Sequence, residues 1–473
     1  MTNQAYTSDL EPGKKRAVTL GSKKRFKRER EKDVLEAIWV FSVVAVICFF
    51  LLEGGLPRHV TTQTLLDATN RLSALIATNL LLVQVILISR APWLEKVYGL
   101  DKTTRAHKRL GKPILYLLLL HFVSSIVAYA VRNELNFFDE LGNMLGEFLS
   151  VVAALVALLA FILVVVSSLV AVRKRASYEV WYLIHLTTYV AIVLAIPHQL
   201  DLGSEIVGHP VGQMYWLSLY FFAAYNLIYF RVLAPILRSL RRNLQVSRVV
   251  PEKNNTTSVY VSGKKIEQFN AKAGQFFMLR VMTPSQWWRP HPFSVSAKPT
   301  KDYIRFTIGN RGDDTAKLQE LKPGTRVMLE GPFGVFTEVV RTQPKVLLMA
   351  AGIGVAPIRA LVASMAAKPG DVNVLYRVKD VNDAALLDEL REICKTRGFT
   401  LTLSDGPSAT EREHLSREEL EKREIDAILA IAPDVAHNDV FICGPIAWSR
   451  SVEKTLRKLN VPKYAIHSEE FAW

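Results

Sequence analysis

His107 and His121 lie fourteen residues apart in one apolar stretch, and His185 and His198 lie thirteen apart in a second. Ionisable side chains inside a lipid-spanning segment are costly and mark function. Imidazole is an axial ligand of haem iron. Two helices that each carry two such residues therefore suit two bis-histidine haems, one above the other. Fourteen residues of helix rise ~21 Å and thirteen rise ~19.5 Å, which sets His107 level with His185 and His121 level with His198. The angular fit is uneven. At ~100° per residue, fourteen residues return within ~40° of the same face, whereas thirteen miss it by ~140°. Pro197, immediately before His198, or a helical bulge is the expected device for re-aiming that ring. Read singly, His107 in its His-Lys-Arg run is interfacial and His198, following a proline near a helix end, is a loop residue; the matched levels favour ligands. His59 and His209 read as loop histidines, and Gln84 and Asn79 as interhelical hydrogen-bonding groups.

The elements that must hold these rings are apolar runs at about 37–52, 72–89, 113–131, 148–172, 179–197 and 213–233. Most approach or exceed the ~20 residues that cross a bilayer as helix. Six spans put both chain ends on one side, and the positive-inside rule identifies that side. Arg90, Lys96, Lys102, Arg105, Lys108, Arg109 and Lys112 connect spans two and three, Arg-Lys-Arg occupies 173–175, and Arg231, Arg238, Arg241 and Arg242 follow the last span. The opposite loops carry Glu134, Asp139, Glu140, Glu147, Asp201 and Glu205. A multi-pass protein of the cell membrane with both termini cytoplasmic is expected, His107 and His185 being the inner pair and His121 and His198 the outer.

The chain has 473 residues, room for two or three domains, and a net charge of +15. That charge is largely juxtamembrane, ten Lys and Arg falling between Lys14 and Lys32, so no nucleic-acid partner is implied. No small-residue cleavage site follows, so this run reads as a cytoplasmic retention signal rather than a signal peptide, with residues 1–32 disordered. Three scattered cysteines make neither a disulfide framework nor a zinc site.

From about Asn243 the character changes. Short β-branched or aromatic runs at Val246–Val250, Val259–Val261, Phe276–Val281, Ile304–Ile308 and Val327–Leu329 predict a small antiparallel barrel. From Lys345, strands at Val346–Met349, Val372–Tyr376, Thr400–Leu403 and Asp439–Ile442 alternate with helical stretches, predicting an α/β parallel sheet. The expected divisions are 1–32 (basic tail), 33–240 (six-helix transmembrane bundle), 241–342 (antiparallel β-barrel) and 343–473 (α/β domain). Gly352 and Gly354 follow the first α/β strand and let backbone approach a pyrophosphate at the next helix; Pro357 stands where a third glycine is usual. Alone, that loop is also an ordinary tight strand–helix turn. Arg377 and Lys379 follow the second strand and suit a 2′-phosphate, which arginine binds through two parallel hydrogen bonds, so NADPH is expected over NADH; an exposed basic turn is the alternative reading.

The order of membrane histidines, His-Pro-Phe-Ser in the barrel region, then strand and Gly-x-Gly-x-x-Pro, resembles the NADPH oxidase and ferric reductase superfamily over about residues 37–473. That resemblance implies FAD, two b-type haems and NADPH. It implies that His291-Pro292-Phe293-Ser294 is the flavin motif, with Phe293 by the isoalloxazine, Ser294 near its reactive edge and Ser296 completing the pattern, although Ala297 replaces a second hydroxyl. Gly312-Asp-Asp-Thr315 resembles the turn that cradles the FAD pyrophosphate; the usual cation position is Gly309, and Arg311 is the substitute. Glu330-Gly-Pro-Phe-Gly334 resembles the loop linking the two soluble lobes, and Cys443-Gly444-Pro445 the signature beside the nicotinamide. In such reductases a C-terminal aromatic stacks on the flavin, here Phe471, with Trp473 second; the simpler reading is an edge aromatic on a terminal strand.

The resemblance further implies electron transfer from cytoplasmic NADPH to an acceptor on the far side. Short outer loops without a metal-binding cluster favour dioxygen over ferric or cupric chelate. Two other classes are open to the sequence: a transporter or proton channel with a regulatory flavoprotein, whose histidines relay protons, and a membrane-anchored reductase feeding a separate partner.

Overall fold

A computed structural model describes residues 22–55, 59–169, 172, 177–204, 206–207, 209–405 and 416–469. Phe471 and Trp473 lie outside the described residues. Two compact units form: residues 31–94 with 102–231, and residues 95–101 with 232–473 together with the start of the first helix.

In the first unit the apolar runs become α1 (Ser22–Leu52), α2 (Thr62–Leu87), α4 (Leu100–Asn133), α6 (Leu149–Ser167), α7 (Tyr178–Leu202) and α8 (Pro210–Tyr225), with short α3 (Pro92–Tyr98) and α5 (Phe137–Glu147) between. Among the described residues, six helical stretches are long and apolar enough to cross a membrane. Their outward faces keep large apolar side chains such as Leu52, Leu149 and Phe221 exposed, as lipid contact requires. Capping fixes the helix starts. Thr61 and Thr64 cap α2 reciprocally, and the Ser177 hydroxyl accepts the Val180 N–H at the start of α7. Leu81, Ile114, Leu115, Ala157, Phe161 and Ala191 from α2, α4, α6 and α7 make the core of the bundle.

Two local expectations are corrected. Residues 22–32 are helical rather than disordered, and residues 1–21 lie outside the described residues; Lys, Arg and Glu are good helix formers, and Lys32 pairs with Glu36 at 3.2 Å. Of the two devices open near His198, a Pro197 kink or a bulge, the bulge is absent: α7 is α-helical through Pro197, and the π-helical turn falls at Asn226–Leu233, ahead of α9 (Ala234–Arg242). There the Asn226 amide donates to the Phe222 carbonyl at 2.8 Å and accepts from the Trp93 indole at 3.0 Å.

The second unit holds two lobes. Strands β1 (Gln245–Glu252), β2 (Thr256–Ser262) and β5 (Ile304–Gly309) form one antiparallel sheet, and β4 (His291–Ser294), β3 (Phe276–Val281) and β6 (Val327–Phe333) another. Bridges Gln245–Arg326 and Val295–Phe306 join the two sheets at both edges. Helix α10 (Asp313–Gln319) follows β5. The core lies between the sheets around Phe277, Leu279, Phe306 and Leu329. The sequence missed β4 because Pro292 sits within it; proline is tolerated where no ladder donor is needed. The second lobe is a parallel sheet ordered β11-β10-β7-β8-β9, from β7 (Val346–Ala351), β8 (Val372–Val378), β9 (Thr400–Asp405), β10 (Asp439–Cys443) and β11 (Ile466–Glu469). Its helices are α11 (Val355–Ser364), α12 (Leu387–Arg397), α13 (Arg417–Ile431) and α14 (Ile446–Lys458). Near-continuous apolar strands suit a sheet covered on both faces.

Candidate redox centres

In the membrane unit, His107 on α4 faces His185 on α7 with ring centroids 6.0 Å apart, and His121 faces His198 at 6.4 Å. Two imidazoles sharing one metal, with bonds of about 2 Å and about 1 Å from nitrogen to ring centre, sit about 6 Å apart. Both pairs match that spacing, so the thirteen-residue offset on α7 does not prevent His198 from reaching α4. The Nδ1 atoms of His107 and His121 each lie 3.2 Å from a carbonyl of α2, that of Gln84 and that of Asn70. A carbonyl only accepts, so each ring carries its proton on Nδ1 and leaves the Nε2 lone pair for a ligand. A cavity between the helices is lined by His107, His185, Phe161, Thr188 and Tyr189, among others. Within it the His185 Nδ1 and Thr188 Oγ1 are buried without a protein partner. This donor set fits bis-imidazole haem.

Gln84 and Asn79 hold helices together. The Gln84 amide donates to the His107 carbonyl at 3.1 Å, and the Asn79 amide donates to Ser42 and Tyr215 hydroxyls at 2.7 and 3.1 Å. His209 pairs with Glu53 at 2.9 Å, and His59 is exposed.

In the barrel lobe, register places Ser294 opposite Phe276 and His291 opposite Leu279. Ser294 Oγ and His291 Nε2 are buried without a protein partner, two polar atoms that suit the edge of a flavin. The rings of His291 and Phe293 stack at 6.2 Å. Burial pushes His291 below the usual imidazole range, so it is neutral at pH 7. Gly312 has φ +142° and open space where a side chain would be. The Arg311 N–H donates to the Thr315 hydroxyl at 2.8 Å, which donates to the Gly312 carbonyl at 2.9 Å, closing the turn. The guanidinium of Arg289 reaches this turn, pairing with Asp314 at 2.6 Å, while Arg311 is exposed. Arg289 heads the His-Pro-Phe-Ser segment, and that adjacency was the available signal for it. Ser296 is fully buried and bonded to Arg305 and Thr307, so its hydroxyl is committed to protein.

In the parallel-sheet lobe, β7 and β10 are neighbours, and their carboxyl ends bring Gly352, Gly354, Cys443, Gly444 and Pro445 together where the strand order reverses, the usual place for a nucleotide. Gly352 has φ +54° and open space around it. A Cβ on Gly354 would sit 2.1 Å from the Cys443 carbonyl oxygen, so only glycine fits. Pro357 falls in the first turn of α11, where no backbone donor is needed. Arg377 is half-buried near the end of β8, and Lys379 just beyond it is exposed.

Glu469, which the sequence reading passed over, is a buried carboxyl ending β11. Its Oε1 lies 3.7 Å from where a Cβ on Gly334 would stand, and the Gly334 N–H donates to Glu95 of α3 at 2.7 Å. Leu100 packs beside this point on Phe276, Met278 and Phe333. Burial first, and the neighbouring Asp101 and Glu95 charges second, push the Glu469 carboxyl well above the usual carboxylate range. Burial and Glu469 likewise raise the Cys443 thiol, which stays protonated.

Three family models match in series: "ferric reductase like transmembrane component" over residues 73–196, "FAD-binding domain" over 241–337 and "oxidoreductase NAD-binding domain" over 348–454. "NADH oxidoreductase HCR" of Escherichia coli (strain K12) is 30% identical over 200 residues, 41% of this chain and 58% of that protein. "Ferric reduction oxidase 7, chloroplastic" of Arabidopsis thaliana is 24% identical over 324 residues, 62% of this chain and 41% of that protein. The chain thus spans little more than half the length of the first relative and less than half of the second. Among solved structures, the FAD/NAD-binding domain of a nitric oxide dioxygenase from Vibrio cholerae O1 biovar El Tor aligns with 49% of this chain and 98% of that one, with a TM-score of 0.38 and 21% identity. Three matched segments in this order give the chain the architecture of the NADPH oxidase and ferric reductase superfamily, a ferric-reductase-type membrane component joined to FAD-binding and NAD-binding lobes.

Proposed function

We propose that this chain moves electrons from cytoplasmic NADPH, with FAD and two b-type haems as carriers, to dioxygen on the opposite side of the membrane, giving superoxide. The observation that carries this reading is the facing of His107 with His185 and of His121 with His198 within an apolar six-helix unit. When bound, flavin takes two electrons together and releases them singly, as haem requires. The residues supply positioning. His107 and His185 hold the inner iron, His121 and His198 the outer. His291, Pro292, Phe293 and Ser294 border the flavin, with Arg289, Arg311, Gly312 and Thr315 at its pyrophosphate. Gly352, Gly354 and Pro357 seat the nucleotide pyrophosphate at the start of α11, and Arg377 pairs with the 2′-phosphate. Cys443, Gly444 and Pro445 would border the nicotinamide, and Phe471, outside the described residues, is the aromatic that the family resemblance assigns to the flavin. Both termini are cytoplasmic, and the working divisions are 1–32, 33–240, 241–342 and 343–473. Each charge crossing the bilayer involves ~2.3 kcal/mol per 100 mV.

A second reading, reduction of ferric or cupric chelate, is favoured by the likeness to a protein named ferric reduction oxidase across 62% of this chain. Cytochrome c reduction by purified protein, with and without superoxide dismutase, separates the two. Dismutase-sensitive reduction is expected. Reduction indifferent to dismutase, together with anaerobic reduction of ferric chelate, makes the protein a metalloreductase.

A further inference from the structure

Arg305 is a cation inside the barrel lobe with its side chain 2% exposed. Its Nε donates to Ser296 Oγ at 3.1 Å, and one Nη donates to the Ser296 carbonyl at 2.8 Å. The two Nη atoms also reach the Glu389 carboxylate at 2.9 and 3.0 Å, a two-pronged pair. Glu389 belongs to α12 of the other lobe, and its second partner is Arg359 of α11, at 2.9 Å. Both ends of this chain of contacts abut a cofactor segment. Ser296 is two residues past the His-Pro-Phe-Ser strand, and Arg359 is on the helix that begins at the Gly-x-Gly turn. Thr307 donates to Ser296 at 2.8 Å, so the link leaves Ser296 no freedom. Two other bonds join the lobes in this region, both peripheral: Lys253 with exposed Asp388 at 3.0 Å, and the Asn254 N–H to Asp383 at 2.7 Å.

Isolated buried ion pairs seldom add net stability, because desolvation offsets the attraction. Their attested use is to fix one arrangement against near alternatives. We infer that Arg305, Glu389 and Arg359 are positioning residues, a clasp across the two soluble lobes that sets how closely nicotinamide approaches flavin. The inference rests on the NADPH-to-FAD reading above. None of the three needs to touch the reacting atoms. A lobe displaced by about 1 Å is enough to slow transfer about a hundredfold while the nucleotide still binds.

The test uses full-length protein in nanodiscs, with spin labels at Lys322→Cys and Lys395→Cys in a Cys48→Ser background, comparing Glu389→Gln with the parent. The parent should give one narrow inter-label distance and Glu389→Gln a broadened or shifted one. In unlabelled protein, anaerobic flavin bleaching at saturating NADPH should slow at least about tenfold while half-saturation moves less than about twofold, and the effect of deuterium at the transferred position should rise. Arg305→Lys, which keeps the charge but loses the fork, should show the same split more weakly, and it decides the matter if Glu389→Gln does not fold. Distances and bleaching like the parent's would overturn the clasp. So would slower bleaching matched by an equal loss of nucleotide affinity at unchanged distance. If NADPH does not bleach flavin in the parent itself, the functional reading fails, and the label distances alone still decide whether the clasp fixes the lobes.

Discussion

Glu469 is the side chain whose chemistry departs most from its sequence appearance. In Ser-Glu-Glu-Phe it reads as a solvated acid, yet it is buried against Gly334 and beside Cys443. Its folded-state pKa is raised, so the folded protein holds a proton there that the unfolded chain releases. Stability from this group is therefore fully present below the ordinary glutamate pKa and is lost as pH rises toward the folded value. Glu95, raised chiefly by burial, acts in the same direction. Thermal unfolding from pH 5 to 8 should show a midpoint that falls with pH, and Glu469→Gln should flatten that slope; an unchanged slope assigns it elsewhere. The histidines and the His-Pro-Phe-Ser segment were legible because their chemistry is carried by residue type and spacing. Glu469 was not, since its burial has no local signature, and for Arg289 only its place beside the motif, not its pairing with Asp314, could be read.

At the scale of elements, the turn from β7 into α11 shows how backbone sets a site. Gly352 and Gly354 look alike in sequence but differ in what excludes a side chain. Gly352 needs only its positive φ, whereas Gly354 has the Cys443 carbonyl against it. Gly352→Ala should cost about 1–2 kcal/mol from backbone strain and weaken nucleotide binding with the lobe still folded. Gly354→Ala must push β10 away from β7 and should cost about 1–3 kcal/mol or more. Denaturant unfolding of the two variants checks the order, and equal losses would contradict it. Element types were readable from period and length, since apolar runs of bilayer length and short β-branched runs admit few alternatives. Strand β4 and the π-turn were not: one hides a proline within a motif, and the other depends on how Asn226 meets Trp93. The helical residues 22–32 show the converse, a charged stretch that composition alone assigns to disorder.

For the whole molecule, the three matched segments, together with six apolar helices among the described residues, give a ferric-reductase-like membrane component followed in sequence by FAD-binding and NAD-binding domains. Its central feature is the imidazole pairing across α4 and α7; on the proposed haem reading, each of the two helices supplies half of every iron site. Loss of either partner should therefore remove the same haem, and loss of an outer partner should leave the inner one. The most direct measurement is haem per chain by pyridine haemochrome, on purified parent, His121→Ala, His198→Ala and the double variant. About two per chain is predicted for the parent and about one for each of the other three, with no further loss in the double variant. Two per chain in His121→Ala or His198→Ala, or none in the parent purified with haem supplied, would contradict the account.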